Sequence, residues 1–240
     1  MIKRWIRNLK FVRSFLIVVR DPTRTEEIFK VITDPRILRP EAWPPLLTRI
    51  KESPKAAELL EQRFSREWNL DELLKLPTDS LGYIYAKHMR DNNLDINFYP
   101  PVPGESVESY VQMRSRQTHD IWHVMTGFDT SVPGEIGLQA FLQAQMFARS
   151  PTVISSMFLL HCLFYDPSIL IETTRAFAQG WQMGEAAQPL FGEKFEENWG
   201  KNLEQYRREL GLISYAPAHS RYTLPHAQPD SETNPRRDIV

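Results

Sequence analysis

Two consecutive helices and the turn between them are encoded by Gln117-Thr-His-Asp-Ile-Trp-His-Val-Met-Thr-Gly-Phe-Asp-Thr-Ser-Val-Pro-Gly-Glu135. The first half is strongly apolar around its two histidines, which predicts a buried helix. Gly127 is a typical helix end, and Thr130 or Ser131 ahead of a proline is a typical helix start. The stretch therefore predicts that the chain turns back on itself and that Glu135 lies in the first turn of the second helix, facing the first.

One face of the first helix carries two histidines and a carboxylate. Because each residue advances about 100° around a helix, His119 and His123 lie one turn apart on the same side, with Asp120 beside them. Eleven residues separate His123 from Glu135, which returns a second carboxylate to this face. Burying such groups is costly unless they are paired or coordinated. We therefore expect His119, Asp120, His123 and Glu135 to form one divalent metal site, with Zn²⁺, Fe²⁺, Mn²⁺ or Mg²⁺ as candidates.

The same residues are also compatible with three different roles. Histidine pairs arise on helices by chance, and the helix dipole favours an acidic residue such as Glu135 at an N-terminus. A likeness to the metalloprotease motif H-E-x-x-H predicts a hydrolase, although aspartate stands here in place of the glutamate. A His-Asp phosphohydrolase would need a further histidine and aspartate, for which His88 and Asp166 are the candidates.

The composition restricts the class of protein. The chain has 240 residues, enough for one substantial core, and its 29 basic and 30 acidic residues nearly cancel, which argues against a nucleic-acid partner. A single cysteine, Cys162, excludes an internal disulfide framework and is typical of a small buried hydrophobic side chain. This cysteine usage fits a reducing compartment.

The remaining sequence predicts an all-α fold, because helical periodicity recurs and strand alternation does not. Prolines 40, 44 and 45 mark a loop, and so does the segment 92–104. Residues 214–240 are polar and rich in proline, which predicts a disordered tail. Besides the helix with the two histidines, helices are predicted over 25–32, 55–64, 70–74, 81–91, 135–149, 150–165, 175–192 and 194–210.

The N-terminal segment 1–20 predicts a basic amphipathic helix. It holds six basic residues and no acidic one, with apolar residues at helical spacing. Such a helix suits an anionic membrane surface, and it is too short in apolar sequence to span a bilayer. Two alternatives are a targeting presequence and a first helix that packs on the domain with a solvated basic face.

The two apolar helices around residues 135–165 predict either a helical-bundle core or a buried apolar pocket beside the metal site. A pocket of this kind would hold a long apolar ligand, since methionine and phenylalanine adapt to flexible chains. Tryptophans at positions 5, 43 and 122 could form the face of a homodimer or belong to the core. The residues expected to line the pocket are Met146, Met157, Phe158 and Phe164.

Together these motifs resemble the ubiquinone biosynthesis protein Coq-four family. The family signature H-D-x-x-H with a glutamate after eleven residues matches His119, Asp120, His123 and Glu135. The likeness covers residues 10–213, and it implies a single all-helical domain over 1–213. The other matching segments are Arg20-Asp-Pro22, Leu76-Pro-Thr-Asp-Ser-Leu-Gly82, Gly134-Glu-Ile136, Trp199 and Arg208-Glu-Leu-Gly211.

The resemblance also implies a function in ubiquinone biosynthesis. The family is associated with the carbon-one step on a polyprenylated 4-hydroxybenzoate-derived ring, which removes the carboxylate with or without hydroxylation. It implies zinc as the metal, other quinone-biosynthesis proteins as partners and peripheral attachment to a membrane. The protein would lie on the cytoplasmic face of that membrane in a bacterium, or on the matrix side of the mitochondrial inner membrane in a eukaryote. The alternative is a non-catalytic, lipid-binding scaffold for a ubiquinone-biosynthesis complex.

Overall fold

The computed structural model describes residues 2–96, 98 and 105–215, with side chains from residue 8 onward. Within these ranges the chain forms eleven α-helices and no β-strand, which confirms the all-α prediction. The tail after residue 215 and part of the predicted loop 92–104 lie outside the described residues. The helices are α1 Ile2–Arg20, α2 Thr25–Ile32, α3 Trp43–Lys51, α4 Pro54–Gln62, α5 Leu70–Leu73, α6 Leu81–Asp91, α7 Val107–Thr126, α8 Val132–Met146, α9 Arg149–Phe164, α10 Leu170–Ala186 and α11 Leu203–Glu209.

Serine caps set where several helices begin. The hydroxyl oxygens of Ser53, Ser80 and Ser131 each accept a hydrogen bond from the backbone N–H three residues further on. The turn after α7 is made by Gly127, whose φ of 81° lies in the left-handed region that glycine adopts without strain. These local signals confirm the predicted turn between the histidine helix and the helix that carries Glu135.

The predicted and observed secondary structure differ most in three places, each for a local reason. Pro44 and Pro45 lie in the first turn of α3, where a missing N–H costs no helical hydrogen bond. The helix predicted over 175–192 begins earlier, at Leu170, and ends at Ala186, three residues before Pro189. The helix predicted over 194–210 is restricted to α11, because a short 3-10 turn at Phe195–Glu197 and a side-chain cap at position 202 precede it.

Two hydrophobic clusters form the core. The larger one joins Trp122 and Ile121 of α7 to Phe141 of α8 and Tyr85 of α6, all 1% exposed or less. Trp122 is therefore a core residue, whereas Trp43 is only partly buried against that cluster. The smaller cluster joins helices α1, α2, α8 and α9 through Val18, Val31, Ile136, Met157 and Phe158. Helix α7 with the two histidines thus lies between other helices, as its apolar sequence predicted.

Helix α1 packs on the domain with only one of its faces. Val18 is buried, whereas Leu9, Val12 and Leu16 are 54%, 49% and 58% exposed. These three exposed residues follow helical spacing and form one apolar stripe. Among the described residues no single helix is long and apolar enough to cross a membrane. Arg149–Phe164 and Pro167–Ala186, which are bent by 115° relative to each other, meet the length and composition requirement only when they are taken together.

Helices α8 and α10 approach each other closely where they cross, and glycines permit it. A Cβ added at Gly180 would clash with the backbone carbonyl of Gly137, and one added at Gly184 would lie 2.6 Å from the carbonyl oxygen of Phe141. Both obstacles are backbone atoms of a buried helix, so neither can move without shifting α8. The crossing fixes the position of α8, which carries Glu135.

The variant Gly180→Ala is therefore expected to destabilise the fold by about 1–3 kcal/mol, because the added methyl group overpacks the crossing. Urea unfolding followed by circular dichroism measures the loss. Gly200→Ala is the matched control, since a Cβ there meets nothing within 4 Å. Equal stability of the two variants would show that the α8–α10 crossing tolerates a larger residue.

Candidate metal centre

The four predicted ligands converge at one place. On α7 one ligand atom from each of His119, Asp120 and His123 lies within 4.8 Å of the others, a group that could hold a metal ion. From the first turn of α8, Glu135 Oε1 lies 3.2 Å from His123 Nε2, and its Oε2 lies 3.8 Å from His119 Nε2. Glu135 reaches this position because the chain reverses at Gly127 and restarts at the Ser131 cap.

His123 is oriented by the backbone of the turn. Its Nδ1 lies 2.9 Å from the carbonyl oxygen of Phe128, and because a carbonyl only accepts, Nδ1 carries the proton. Burial would lower the pKa of His123, but the neighbouring Glu135 outweighs it and raises that pKa. In the neutral ring, which is the form that binds metal, the lone pair of His123 Nε2 faces Glu135. That atom is buried and makes no well-directed hydrogen bond to any described residue. A buried nitrogen without a partner beside two carboxylates fits a cation, which would satisfy it.

The charge states of the site also suit a cation. Burial would raise the pKa of Glu135, but the neighbouring His123 and His119 outweigh it and lower that pKa to about 2. Burial lowers the pKa of His119, and the charge of Glu135 only partly opposes this. Glu135 is therefore an anion and His119 a neutral imidazole at neutral pH, which are the forms that bind metal.

Asp120 interacts electrostatically with helix α6 as well as with the two histidines. Burial and then the charge of Asp120 raise the pKa of Tyr85, so the carboxylate is electrostatically coupled to that phenol. Whether Asp120 contacts a metal directly or orients a ligand stays a prediction. Asp166 is not a member of the ligand group; its carboxylate accepts a hydrogen bond from Ser168.

The sequence did not predict how His88 of α6 is placed. Its ring stacks on that of His123, with centroids 6.1 Å apart and planes 25° apart. Burial lowers the pKa of His88, and its Nε2 is buried without a partner among the described residues. Only the packing of α6 on α7 creates this contact, so spacing along the chain contains no signal for it.

A cavity of about 630 Å³ opens beside the ligand group. His119, Asp120 and Glu135 form part of its wall, and helices α2, α3, α7, α8 and α9 contribute most of the rest. Much of the remaining wall is apolar and includes Ile28, Phe29, Ile32, Leu46, Leu142 and Ile154.

The four residues predicted to line a pocket divide into two pairs. Met146 and Phe158 line the cavity. Met157 is not among the lining residues, because it is fully buried in the smaller core cluster, on a different side of α9 from Phe158. Phe164 does not line it either, because it lies at the end of α9 with 67% of its surface exposed.

A polar stripe runs along the cavity side of α7. It continues the line of His119 and Asp120 by one and two turns toward the N-terminus, since residues three or four apart share a helix face. Three further residues of this stripe line the same cavity: Gln112, Ser115 and Arg116. The cavity therefore combines a polar stripe on α7, which includes His119 and Asp120, with mostly apolar side chains from the other helices.

Known proteins are similar to this chain in sequence and in fold. The family described as coenzyme Q (ubiquinone) biosynthesis protein Coq4 matches residues 2–216. A crystal structure of a proposed ubiquinone biosynthesis protein from Nostoc punctiforme PCC 73102 is similar, with a TM-score of 0.74 and 30% sequence identity over 86% of this chain and 99% of that chain.

Curated relatives are similar over part of their length. The human protein named ubiquinone biosynthesis protein COQ4 homolog, mitochondrial, is 27% identical over 180 residues, which is 72% of this chain and 66% of that protein. The protein named ubiquinone biosynthesis protein COQ4, mitochondrial, from Eremothecium gossypii is 28% identical over 148 residues, which is 60% of this chain and 45% of that protein. The chain thus spans about half to two thirds of these relatives.

Proposed function

Because the chain belongs to the coenzyme Q (ubiquinone) biosynthesis protein family Coq4, we propose that it acts on the ring of a polyprenylated 4-hydroxybenzoate-type quinone precursor. The reaction proposed is removal of the carbon-one carboxylate, with or without hydroxylation. The observation that carries the proposal is the cavity of about 630 Å³, which has a ligand group for a metal in a wall that is otherwise largely apolar. Cavities of about 300–1,000 Å³ are typical of small-molecule sites.

Residues of this chain supply the polar end of the site. His119, His123 and Glu135 would hold a divalent ion, with Asp120 as a further ligand or as an orienting group. Zinc is the first candidate, and iron, manganese and magnesium are the others. The chemistry that such an ion supplies when bound is Lewis-acid polarisation of a ring oxygen or of the carboxylate.

The apolar walls would hold the isoprenoid tail. Helices α2, α8 and α9 contribute aliphatic and aromatic side chains to the cavity wall, and such side chains bind hydrocarbon by excluding water. Exclusion of water also strengthens each electrostatic contact at the ring end. An amphipathic ligand therefore matches a cavity that combines the polar stripe of α7 with mostly apolar walls.

Helix α1 would attach the protein to the surface of the membrane that holds such lipids. Leu9, Val12 and Leu16 form its exposed apolar stripe, with the exposed bases Lys10 and Arg13 beside them. Residues 22, 23 and 25, which directly follow α1, line the cavity. A lipid that leaves the membrane next to α1 would therefore enter the cavity beside these residues. Other quinone-biosynthesis proteins and a second copy of the chain are further proposed partners.

The double variant Leu9→Glu/Leu16→Glu is expected to reduce binding to anionic phospholipid vesicles more than tenfold. Each substitution removes an apolar contact worth about 1.5–3 kcal/mol and adds a negative charge. Vesicle co-sedimentation measures the change. Ile213→Glu is the matched control, because Ile213 is 83% exposed elsewhere on the fold. If all three proteins sediment alike, α1 is not the membrane contact.

The proposed reaction is tested with purified, metal-loaded protein and a short-chain prenylated 4-hydroxybenzoate carrying a labelled carboxylate. The expected result is release of labelled CO₂, measured with and without O₂ for each candidate metal. Tight binding of the acid without turnover under every condition would favour the non-catalytic scaffold, which needs the same cavity but no chemistry.

A further inference from the structure

Helix α7 carries two arginines that point to different sides. Arg114 and Arg116 are two residues apart, which separates them by about 200° around a helix. Arg114 is fully buried, and its guanidinium pairs with Glu196 and donates to the carbonyl oxygen of Glu193 at 2.9 Å. Arg116 instead lines the cavity and is half-buried. The first arginine therefore serves the fold, whereas the second belongs to the cavity wall.

Arg116 lies one helical turn from the metal-ligand group. It precedes His119 by three residues and Asp120 by four, so their Cβ atoms are about 5–6 Å apart on one face. Its guanidinium carbon lies 5.4 Å from the ring centre of Phe29, which lines the same cavity from α2. An aromatic face engages the plane of a guanidinium, whereas the oxygens of a carboxylate bind at its N–H edge. The contact with Phe29 is therefore compatible with a carboxylate at that edge.

The distribution of charged residues in the cavity wall favours Arg116 as the group that binds an acidic ligand. Among the lining residues that the structure describes, the carboxylates are Asp95, Asp120 and Glu135, and the permanently charged bases are Arg116 and Arg149. An acidic ligand at the metal-ligand end meets the negative charges of Asp120 and Glu135. The proposed divalent ion would offset those charges, and a cation of the chain on the same side of the cavity would attract the acid whether or not the ion is bound. Arg116 supplies that charge within one turn, whereas Arg149 is an exposed residue at the start of α9.

We propose that Arg116 binds the carboxylate of the prenylated aromatic acid and so selects acids over neutral phenols. This inference rests on the proposed function. It assigns recognition of the substrate carboxylate to Arg116, whereas the metal ion could otherwise bind that carboxylate. A guanidinium binds a carboxylate through two parallel N–H···O hydrogen bonds. This geometry fixes the orientation of the substrate ring, and the positive charge of the guanidinium compensates the negative charge of the carboxylate. The ring is then held along the stripe of α7, with the metal-ligand group one turn away.

The test compares two probes, a short-chain prenylated 4-hydroxybenzoate and the corresponding prenylated phenol without its carboxylate. Binding is measured by calorimetry with metal-loaded protein and again after chelation. The wild type is expected to prefer the acid by about ten- to a hundredfold, as for hydrogen bonds to charged groups. Arg116→Gln should reduce the preference to about onefold while binding the phenol and the metal as before. Arg116→Lys keeps the positive charge but lacks the planar pair of N–H donors, so it should retain part of the preference for the acid.

Two controls make the outcome specific. Arg149→Gln removes the same charge from the cavity rim and should keep the preference for the acid. In the wild type the preference should persist after chelation, since Arg116 does not depend on the metal. A preference that survives in Arg116→Gln, or that disappears from the wild type with the metal, overturns the assignment of Arg116. Failure of the wild type to bind either probe would instead contradict the proposed function, and this inference with it.

Discussion

Replacing His119 by alanine is expected to release the divalent metal from the purified protein and to stop CO₂ release from the labelled acid. Loss of a group that only orients a metal ligand already costs about 10–100-fold in affinity. Loss of a ligand should exceed that, because His119 Nε2 is the atom that faces Glu135 Oε2. Elemental analysis after dialysis against a graded series of chelator concentrations measures the affinity.

The fold should survive this substitution. The side chain of His119 is 19% exposed on the cavity side of α7, in contrast to the buried His123, whose ring also bonds the turn. His161→Ala is the matched control, because that half-buried histidine bonds the carbonyl of Val19, outside the ligand group. Metal at full stoichiometry in His119→Ala, with helical content equal to that of the wild type, would refute the site.

The second large effect is expected on stability, from Arg114. Replacing one partner of a buried ion pair leaves the other charge uncompensated, which costs about 3–5 kcal/mol. Arg114→Met should therefore lower the free energy of unfolding by that amount, because Glu196 is 1% exposed at its side chain. The loss is a large share of the roughly 5–15 kcal/mol that stabilises a typical domain.

The surrounding network strengthens this expectation. The carbonyl of Glu193 accepts from Arg114, and its carboxylate accepts from the hydroxyl of Tyr206 and from Lys55, both at 2.7 Å. Arg114 thus joins α7 to the segment before α11. Urea unfolding of Arg114→Met and of the double variant Arg114→Met/Glu196→Met separates the charge effect from packing, since removing both charges should restore most of the stability.

An exposed ion pair provides the comparison. Lys87 and Asp91 on α6 are 58% and 57% exposed, so Lys87→Met should change stability by less than about 1 kcal/mol. A similarly small change in Arg114→Met would mean that Glu196 finds another partner or becomes protonated. That result would exclude the ion pair as the element that holds α7 in position.

Sequence patterns were most reliable where one segment determines the outcome. The periodicity of α2 predicted its ends, Thr25 and Ile32, and the serine ahead of α6 predicted its start. Sequence patterns were least reliable where prolines are compatible with either a loop or the start of a helix. Pro44 and Pro45 suit a loop as well as the first turn of a helix, and α3 forms because Leu46 and Ile50 of the same segment can be buried against the core.

By itself, the sequence determined the all-α class and one face of α7. It also determined the turn at Gly127 and the return of Glu135, because i, i+4 spacing, a glycine end and a serine cap act over a few neighbouring residues. Only the tertiary structure decided that His88 stacks on His123, that Arg114 is structural while Arg116 meets the cavity, and that Met146 and Phe158 line it while Met157 and Phe164 do not. These outcomes depend on which helices pack together although they are far apart in the sequence. Local periodicity shows which face of a helix is apolar, but it does not identify the helix against which that face packs.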